Sequence, residues 1–241
     1  MTARRLLRLT GPDAAEFLQG LVTNDVRRAP IYTALLTPQG KYLADFFVIP
    51  DGDGYLLDVP AEQADDLLRR LSMYRLRAKV EIDEDPRAVA RGTGPAPAGA
   101  IADPRDPALG WRGYGLGTDD ATDWDAIRVA HLIPEAGVEL IPNDSFILEM
   151  GFERLHGVDF RKGCYVGQEV TARMKHKTEL KKGLARVALD APVPPGTPIL
   201  TADGREAGAV FTQSGGRGIA YLRFDRVAEG MHAAGVPVRP A

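Results

Sequence analysis

An α+β body of mixed, mostly antiparallel sheets with helices, followed by a small C-terminal β-barrel, is the fold class that these 241 residues predict. Three observations carry it. Strand-like and helix-like runs are interleaved through the first two thirds, joined by hairpin turns instead of regular crossovers. A stretch dense in glycine and proline interrupts them midway. Beyond Lys182 only short β-rich runs separated by turn residues remain. The expected organisation is a body over 1–178, with two subdomains joined near 84–120, and a barrel over 179–241.

Each element follows from local pattern. Residues 4–9 read as a strand, after which Thr10-Gly11-Pro12-Asp13 opens a helix with proline near its first turn and Phe17, Leu18 and Leu21 on its apolar face. The runs 31–37 and 42–49 flank Pro38-Gln39-Gly40-Lys41, and Asp51-Gly52-Asp53-Gly54 turns the chain into 55–59, giving a three-strand meander. Pro60 begins a helix in which Ala64, Leu67, Leu68 and Leu71 recur at helical spacing. A strand is expected over 78–82. Glycines and prolines crowd 91–118 and predict an exposed connection. A further helix is expected from about Thr122, with Trp124 and Ile127 apolar, ending before Pro134. The barrel strands fall at 184–189, 206–212 and 218–224.

Composition bounds the function without naming it. With 44% apolar and 26% charged residues the chain is an ordinary globular protein, not a disordered or collagen-like one. A formal charge of −3 provides no global field to attract nucleic acid or acidic membranes. A single cysteine, Cys164, excludes an intrachain disulfide, so a reducing compartment is expected. No signal-like or membrane-spanning apolar run is seen, and a cytoplasmic location with no membrane partner is the expectation.

Familiar catalytic motifs are absent. The four histidines are scattered and no second cysteine completes a zinc site, so no metal is expected. Gly113-Tyr114-Gly115-Leu116-Gly117 lacks the spacing and context of a nucleotide loop, and neither a hydrolase elbow nor a P-loop occurs. The informative run is Arg161-Lys162-Gly163-Cys164-Tyr165-Val166-Gly167-Gln168-Glu169. Two glycines bracket a thiol, allowing tight turns, and Lys162 as a neighbouring cation would favour the reactive thiolate. A lone cysteine is also commonly a small buried hydrophobe, so chemistry alone leaves both readings open.

The segment from Lys162 to Glu169 resembles the signature of the YgfZ-type folate-binding proteins, relatives of the glycine-cleavage T-protein, an aminomethyltransferase. Asp13 to Gly20, Thr23-Asn24-Asp25, Pro38 to Lys41, Asp103-Pro104-Arg105 and Leu109-Gly110 resemble other stretches of that family, so the likeness spans most of the chain. It implies a folate-binding α+β body with a C-terminal barrel, tetrahydrofolate or a derivative as cofactor, and a role in iron–sulfur cluster assembly or repair. Asp144-Ser145-Phe146-Ile147-Leu148-Glu149 resembles the T-protein segment whose glutamate contacts the pterin, which implies that role for Glu149. Chemically, a carboxylate can accept the paired N–H groups of a pterin.

One departure bears on mechanism. T-protein relatives carry adjacent aspartates after the glycine turn, whereas this chain reads Ala44-Asp45. Losing one acid could remove aminomethyl transfer while leaving binding intact. Asp45 retains a folate contact as an expectation, pointing opposite to Ala44 on an alternating strand. The expected site is therefore Cys164 as functional thiol, with Glu149, Asp45, Lys162, Gly163, Tyr165, Gly167, Gln168, Glu169 and Arg173 as ligand-binding residues. Gly163 and Gly167 are assigned to turns, Tyr165 to packing or stacking, and Gln168 and Glu169 to fixing backbone donors. Expected partners are a folate and iron–sulfur assembly factors or client enzymes. Two alternatives stand beside this reading: a true aminomethyltransferase of glycine cleavage, and a tRNA-binding or tRNA-modification accessory protein using Arg173, Lys175, Lys177, Lys181 and Lys182, opposed only by Glu179.

Overall fold

The computed structural model describes residues 3–117, 121–176 and 179–241. The body is built on a five-stranded antiparallel sheet. Strand β1 (Arg4–Thr10) is followed by helix α1 (Ala14–Gln19), then β2 (Ile31–Leu36), β3 (Tyr42–Asp51) and β4 (Gly54–Pro60). Helix α2 (Ala61–Tyr74) leads to β5 (Glu81–Asp85), and the spatial order is β2-β3-β4-β1-β5. The expected meander thus forms the sheet's first half. Strand β2 is buried at every position because both of the sheet's faces are covered. On one face Leu7, Leu9, Phe46, Val48 and Leu57 pack with α1 and α2 through Leu18, Ala64, Leu67 and Leu71. On the other, Tyr32, Tyr42, Phe47 and Ile49 meet Ile133, Leu140, Leu148, Phe152 and Tyr165.

Two expectations need correction. The strand placed at 78–82 lies three residues later, because Glu81 to Asp85 pair with Thr10 to Leu6 of β1 as an exposed edge. This acidic run gives no apolar signal; it is held by ladder bonds and by the ion pair between Arg5 and Glu84. The glycine-rich segment 91–118 is also more than an exposed connection. It contributes to a three-stranded sheet of β6 (Val89–Gly92), β7 (Ile101–Ala102) and β8 (Trp111–Tyr114). Arg112 from β8 is 1% exposed and reaches Asp58 of β4, while its Nη1 lies 3.3 Å from Asp103. Burial alone would raise the Asp58 carboxyl, but Arg112 and then Arg4 overcome this and hold it at about 2.

Helix α3 (Trp124–His131) begins with Asp123 accepting from the Ala126 N–H at 3.0 Å, and helix α4 (Gln168–His176) follows the cysteine run. The C-terminal strands β9 (Lys182–Leu189), β10 (Thr197–Leu200), β11 (Glu206–Ser214), β12 (Arg217–Arg223), β13 (His232–Ala233) and β14 (Val236–Pro240) close into a barrel around Val187, Ile199, Val210, Ala220 and Val238. The fold class expected from the sequence is therefore the one observed. Buried Glu139 joins barrel to body: it accepts from Arg128 on α3 and, through Oε1, from the Thr212 hydroxyl at 2.6 Å. Among the described residues no helix is long and apolar enough to cross a membrane.

Candidate functional site

Burial along the cysteine run alternates in a way that presents the thiol. Lys162 and Tyr165 are buried at 6% and 7% exposure, whereas Gly163 and Cys164 between them are exposed. The Lys162 ammonium donates to Gln19 O, at the end of α1, at 2.7 Å and to Val22 O just beyond it, and sits 5.0 Å from the Tyr165 ring centre. Two anchors thus hold a short surface bridge that carries Cys164. Lys162 itself turns inward, so the cation expected beside the thiol serves as an anchor instead. Burial pushes its amine down to about 8, partly offset by Asp25 and Asp159.

The two glycines differ. Gly167 adopts φ +83, and a Cβ there would meet Thr37 O at 2.6 Å and the Gly40 Cα at 3.2 Å. The Pro38–Lys41 turn is therefore seated on the start of α4, and Gly40 in turn faces Val170. Gly163 has no positive φ, and a Cβ there would meet nothing within 4 Å, so the turn expected at this position does not require glycine. Gln168 begins α4, with its N–H donating to Tyr165 O at 3.2 Å. Glu169 is exposed and accepts from Arg173 at 2.7 Å, an ordinary i,i+4 surface pair. Lys175 likewise pairs with Glu153. Arg173 and Lys175 of the basic cluster are consequently paired with Glu169 and Glu153, while Lys177 lies outside the described residues.

The two candidate folate acids have different surroundings. Asp45 is 4% exposed on β3, and both its oxygens are taken: Oδ1 accepts from Tyr42 at 2.6 Å and Oδ2 from Tyr32 at 3.0 Å. Burial and then this carboxylate raise both tyrosine pKa values well above the ordinary phenol range. Ala44 points to the opposite face, into the α1/α2 core, as alternation requires. Glu149 is half-buried between buried Leu148 and Met150. Its Oε2 accepts from the Tyr221 hydroxyl on β12 at 2.7 Å, and its backbone carbonyl accepts from Leu184 N–H of β9 at 3.0 Å. Its Oε1 accepts no hydrogen bond from a described residue.

Tyr221 is a site neighbour that sequence reasoning missed. It lies 72 residues from Glu149 in a strand with no motif of its own, so only barrel closure brings the pair together. Another missed feature is a cleft of 480 Å³ bounded by Asn24, Arg28, Tyr32, His156, Phe160 and Arg161 among others. Neither Glu149 nor Cys164 lines it.

This arrangement, an antiparallel α+β body closed by a C-terminal barrel, defines an aminomethyltransferase-like fold. The glycine cleavage system aminomethyltransferase T of Bartonella henselae superposes on it with a TM-score of 0.74 at 14% identity, over 98% of this chain and 81% of that one, a likeness of fold alone. Residues 181–241 match the family model described as CAF17, C-terminal beta-barrel domain. The human mitochondrial iron-sulfur cluster assembly factor IBA57 is 31% identical over 96% of this chain and 79% of its own length. The Pyricularia oryzae homologue is 31% identical over 93% and 71%, and the Neurospora crassa one is 35% identical over 76% of this chain but only 51% of its own. The chain belongs to the IBA57 family of iron–sulfur cluster assembly factors. The cytoplasmic location expected from the sequence is overturned by these relatives, each of which is named as mitochondrial.

Proposed function

We propose that the chain is a tetrahydrofolate-binding protein of the YgfZ-like kind that supports iron–sulfur cluster assembly or repair, with Cys164 as its functional thiol and assembly factors or client enzymes as partners. The observation that carries the reading is the exposed Cys164 on a bridge pinned at both ends by buried Lys162 and Tyr165. A packing cysteine would be buried; this one is offered to solvent at a fixed place. One thiolate cannot hold a cluster, and among the described residues no group of three or more His, Cys, Asp or Glu is placed to hold a metal ion. The cluster is therefore cargo, and a partner must supply the remaining ligands. The relatives' names support the same role.

Glu149 fits the requirement for a pterin acceptor. Its environment is half-desolvated, one oxygen is already oriented by Tyr221, and the other has open acceptor capacity. Folate would thus be held where body and barrel meet, with Glu149 taking the paired ring and amino N–H groups. Aminomethyl transfer loses support on the opposite ground: Ala44 has no acid to offer, and Asp45 is 4% exposed with each oxygen already bonded to a tyrosine hydroxyl, away from solvent and ligand. The tRNA alternative loses support because Arg173 and Lys175 already have acidic partners.

The test is complementation. Cys164→Ala is expected to fold and to bind tetrahydrofolate like the parent chain, yet fail to restore a cluster-dependent enzyme in cells lacking the endogenous factor. Full restoration would remove the thiol from the function.

A further inference from the structure

Glu149 is tied to the barrel twice. Its carbonyl oxygen accepts from Leu184 N–H at 3.0 Å, and its carboxylate accepts from the Tyr221 hydroxyl at 2.7 Å. The first bond fixes where the Glu149 backbone sits relative to β9; the second fixes how its carboxylate plane is turned relative to β12. These strands are neighbours, with Tyr221 directly opposite Leu184 in the ladder, so both tethers come from one rigid spot of the barrel wall. Inward-facing Ala220 and Leu222 belong to the barrel core, which leaves Tyr221 directed outward to the body.

We propose that Tyr221 is a positioning residue that presents the Glu149 carboxylate to a ligand carrying two adjacent N–H donors, so that the barrel completes the site. This rests on the folate reading of Glu149 given above. The chemistry is specific. A carboxylate has about four lone-pair directions and rotates readily about its last bond when unheld. A tyrosine hydroxyl on one oxygen stops that rotation while consuming only one of the four acceptor positions. Of the three positions that remain, at least one lies on each oxygen in a fixed plane, the shape needed for the ring N–H and amino group of a reduced pterin. A phenylalanine there would keep the packing against the body and lose only the donor. Orientation of this kind matters because a site held in productive geometry avoids the ordering loss on binding.

The experiment uses the full chain and calorimetric titration with two probes, tetrahydrofolate and its 2-desamino analogue, which lacks one of the two paired donors. Four proteins are compared: the parent, Glu149→Gln, Tyr221→Phe and the double variant, with circular dichroism and thermal melting to confirm folding. Glu149→Gln is expected to weaken tetrahydrofolate binding at least tenfold, since its amide places a donor against a donor. Tyr221→Phe is expected to weaken it about five- to tenfold. The loss from Tyr221→Phe should shrink to under twofold with the 2-desamino analogue and should vanish in the Glu149→Gln background. A general loosening of the barrel would instead lower affinity equally for both probes and both backgrounds, and that result overturns the proposal. Should Glu149→Gln bind tetrahydrofolate as the parent does, the folate reading itself fails; should it lose binding while Tyr221→Phe does not, only the role of Tyr221 fails.

Discussion

Replacing Lys162 with methionine isolates the electrostatics of the anchor that carries Cys164. The folded chain holds this amine at about 8 against an ordinary 10.5, chiefly because burial disfavours the ammonium. In the unfolded chain the lysine binds its proton more tightly, so protonation favours unfolding and the native state gains stability as pH rises. The gain begins near pH 8 and is complete above about 10.5. One pKa unit corresponds to about 1.4 kcal/mol, and partial solvent screening trims the full conversion, so between pH 7 and pH 10 the parent should gain about 1–2 kcal/mol relative to the methionine variant. At pH 7 the two terms nearly offset. Methionine removes the burden of a buried charge, but it leaves the Gln19 and Val22 carbonyls without their donor, at about 1–3 kcal/mol. Urea unfolding of both proteins at half-unit steps across this range measures the difference directly, and tyrosine ionisation common to both cancels. A parent-minus-variant difference that stays flat from pH 7 to pH 10 would refute the argument, because it would mean the amine is as well solvated folded as unfolded.

Asp58→Ala should be among the most damaging single changes, lowering stability by about 3–5 kcal/mol in denaturant titration, because it removes the main counter-ion of the fully buried Arg112 guanidinium and leaves it only Asp103, which is shared with Arg105. The parent's own acid limb should reflect the same group: with the folded carboxyl at about 2 against an ordinary 3.8, its contribution is complete above 3.8 and fades as pH falls toward 2. Gly167→Ala should cost at least 2 kcal/mol, since it combines positive φ with a Cβ 2.6 Å from Thr37 O, whereas Gly163→Ala should change thermal stability by under about 0.5 kcal/mol.

How much of this was legible from the amino acids depends on the range of the interaction. Periodicity within one element placed α2, because Ala64, Leu67 and Leu71 all face the sheet. Turn chemistry placed the β2–β3 and β3–β4 hairpins. Strand β5 slipped by three residues because an acidic edge strand is held by its ladder to β1 and by arginines across it, neither of which leaves an apolar trace. The 91–118 segment misled for a related reason. Its glycines do mark turns, but Asp103, Arg105 and Arg112, which read as surface charges, are buried as a mutually compensating set. Compensation is a property of three-dimensional pairing and has no sequence period.

The same distinction explains the site. Identity of residue indicated that Glu149 and Asp45 were candidates, but the difference between a carboxylate that can receive a ligand and one that cannot lies in who already bonds to it. Tyr42 is three residues from Asp45, close enough in sequence to have been suspected, and Tyr32 sits opposite Phe47 on the adjacent strand. Together they close the Asp45 carboxylate. Tyr221 occupies one acceptor position on Glu149 and leaves the rest open. On the reading proposed above, Glu149 takes the pterin, and Ala44 stands where a second carboxylate would be needed for aminomethyl transfer. The proposal assigns folate to Glu149 and the thiol role to Cys164, so the complementation of Cys164→Ala and the titration of Glu149→Gln must be read side by side: a chain that loses both functions on either change has one coupled site, and a chain that loses them separately has two.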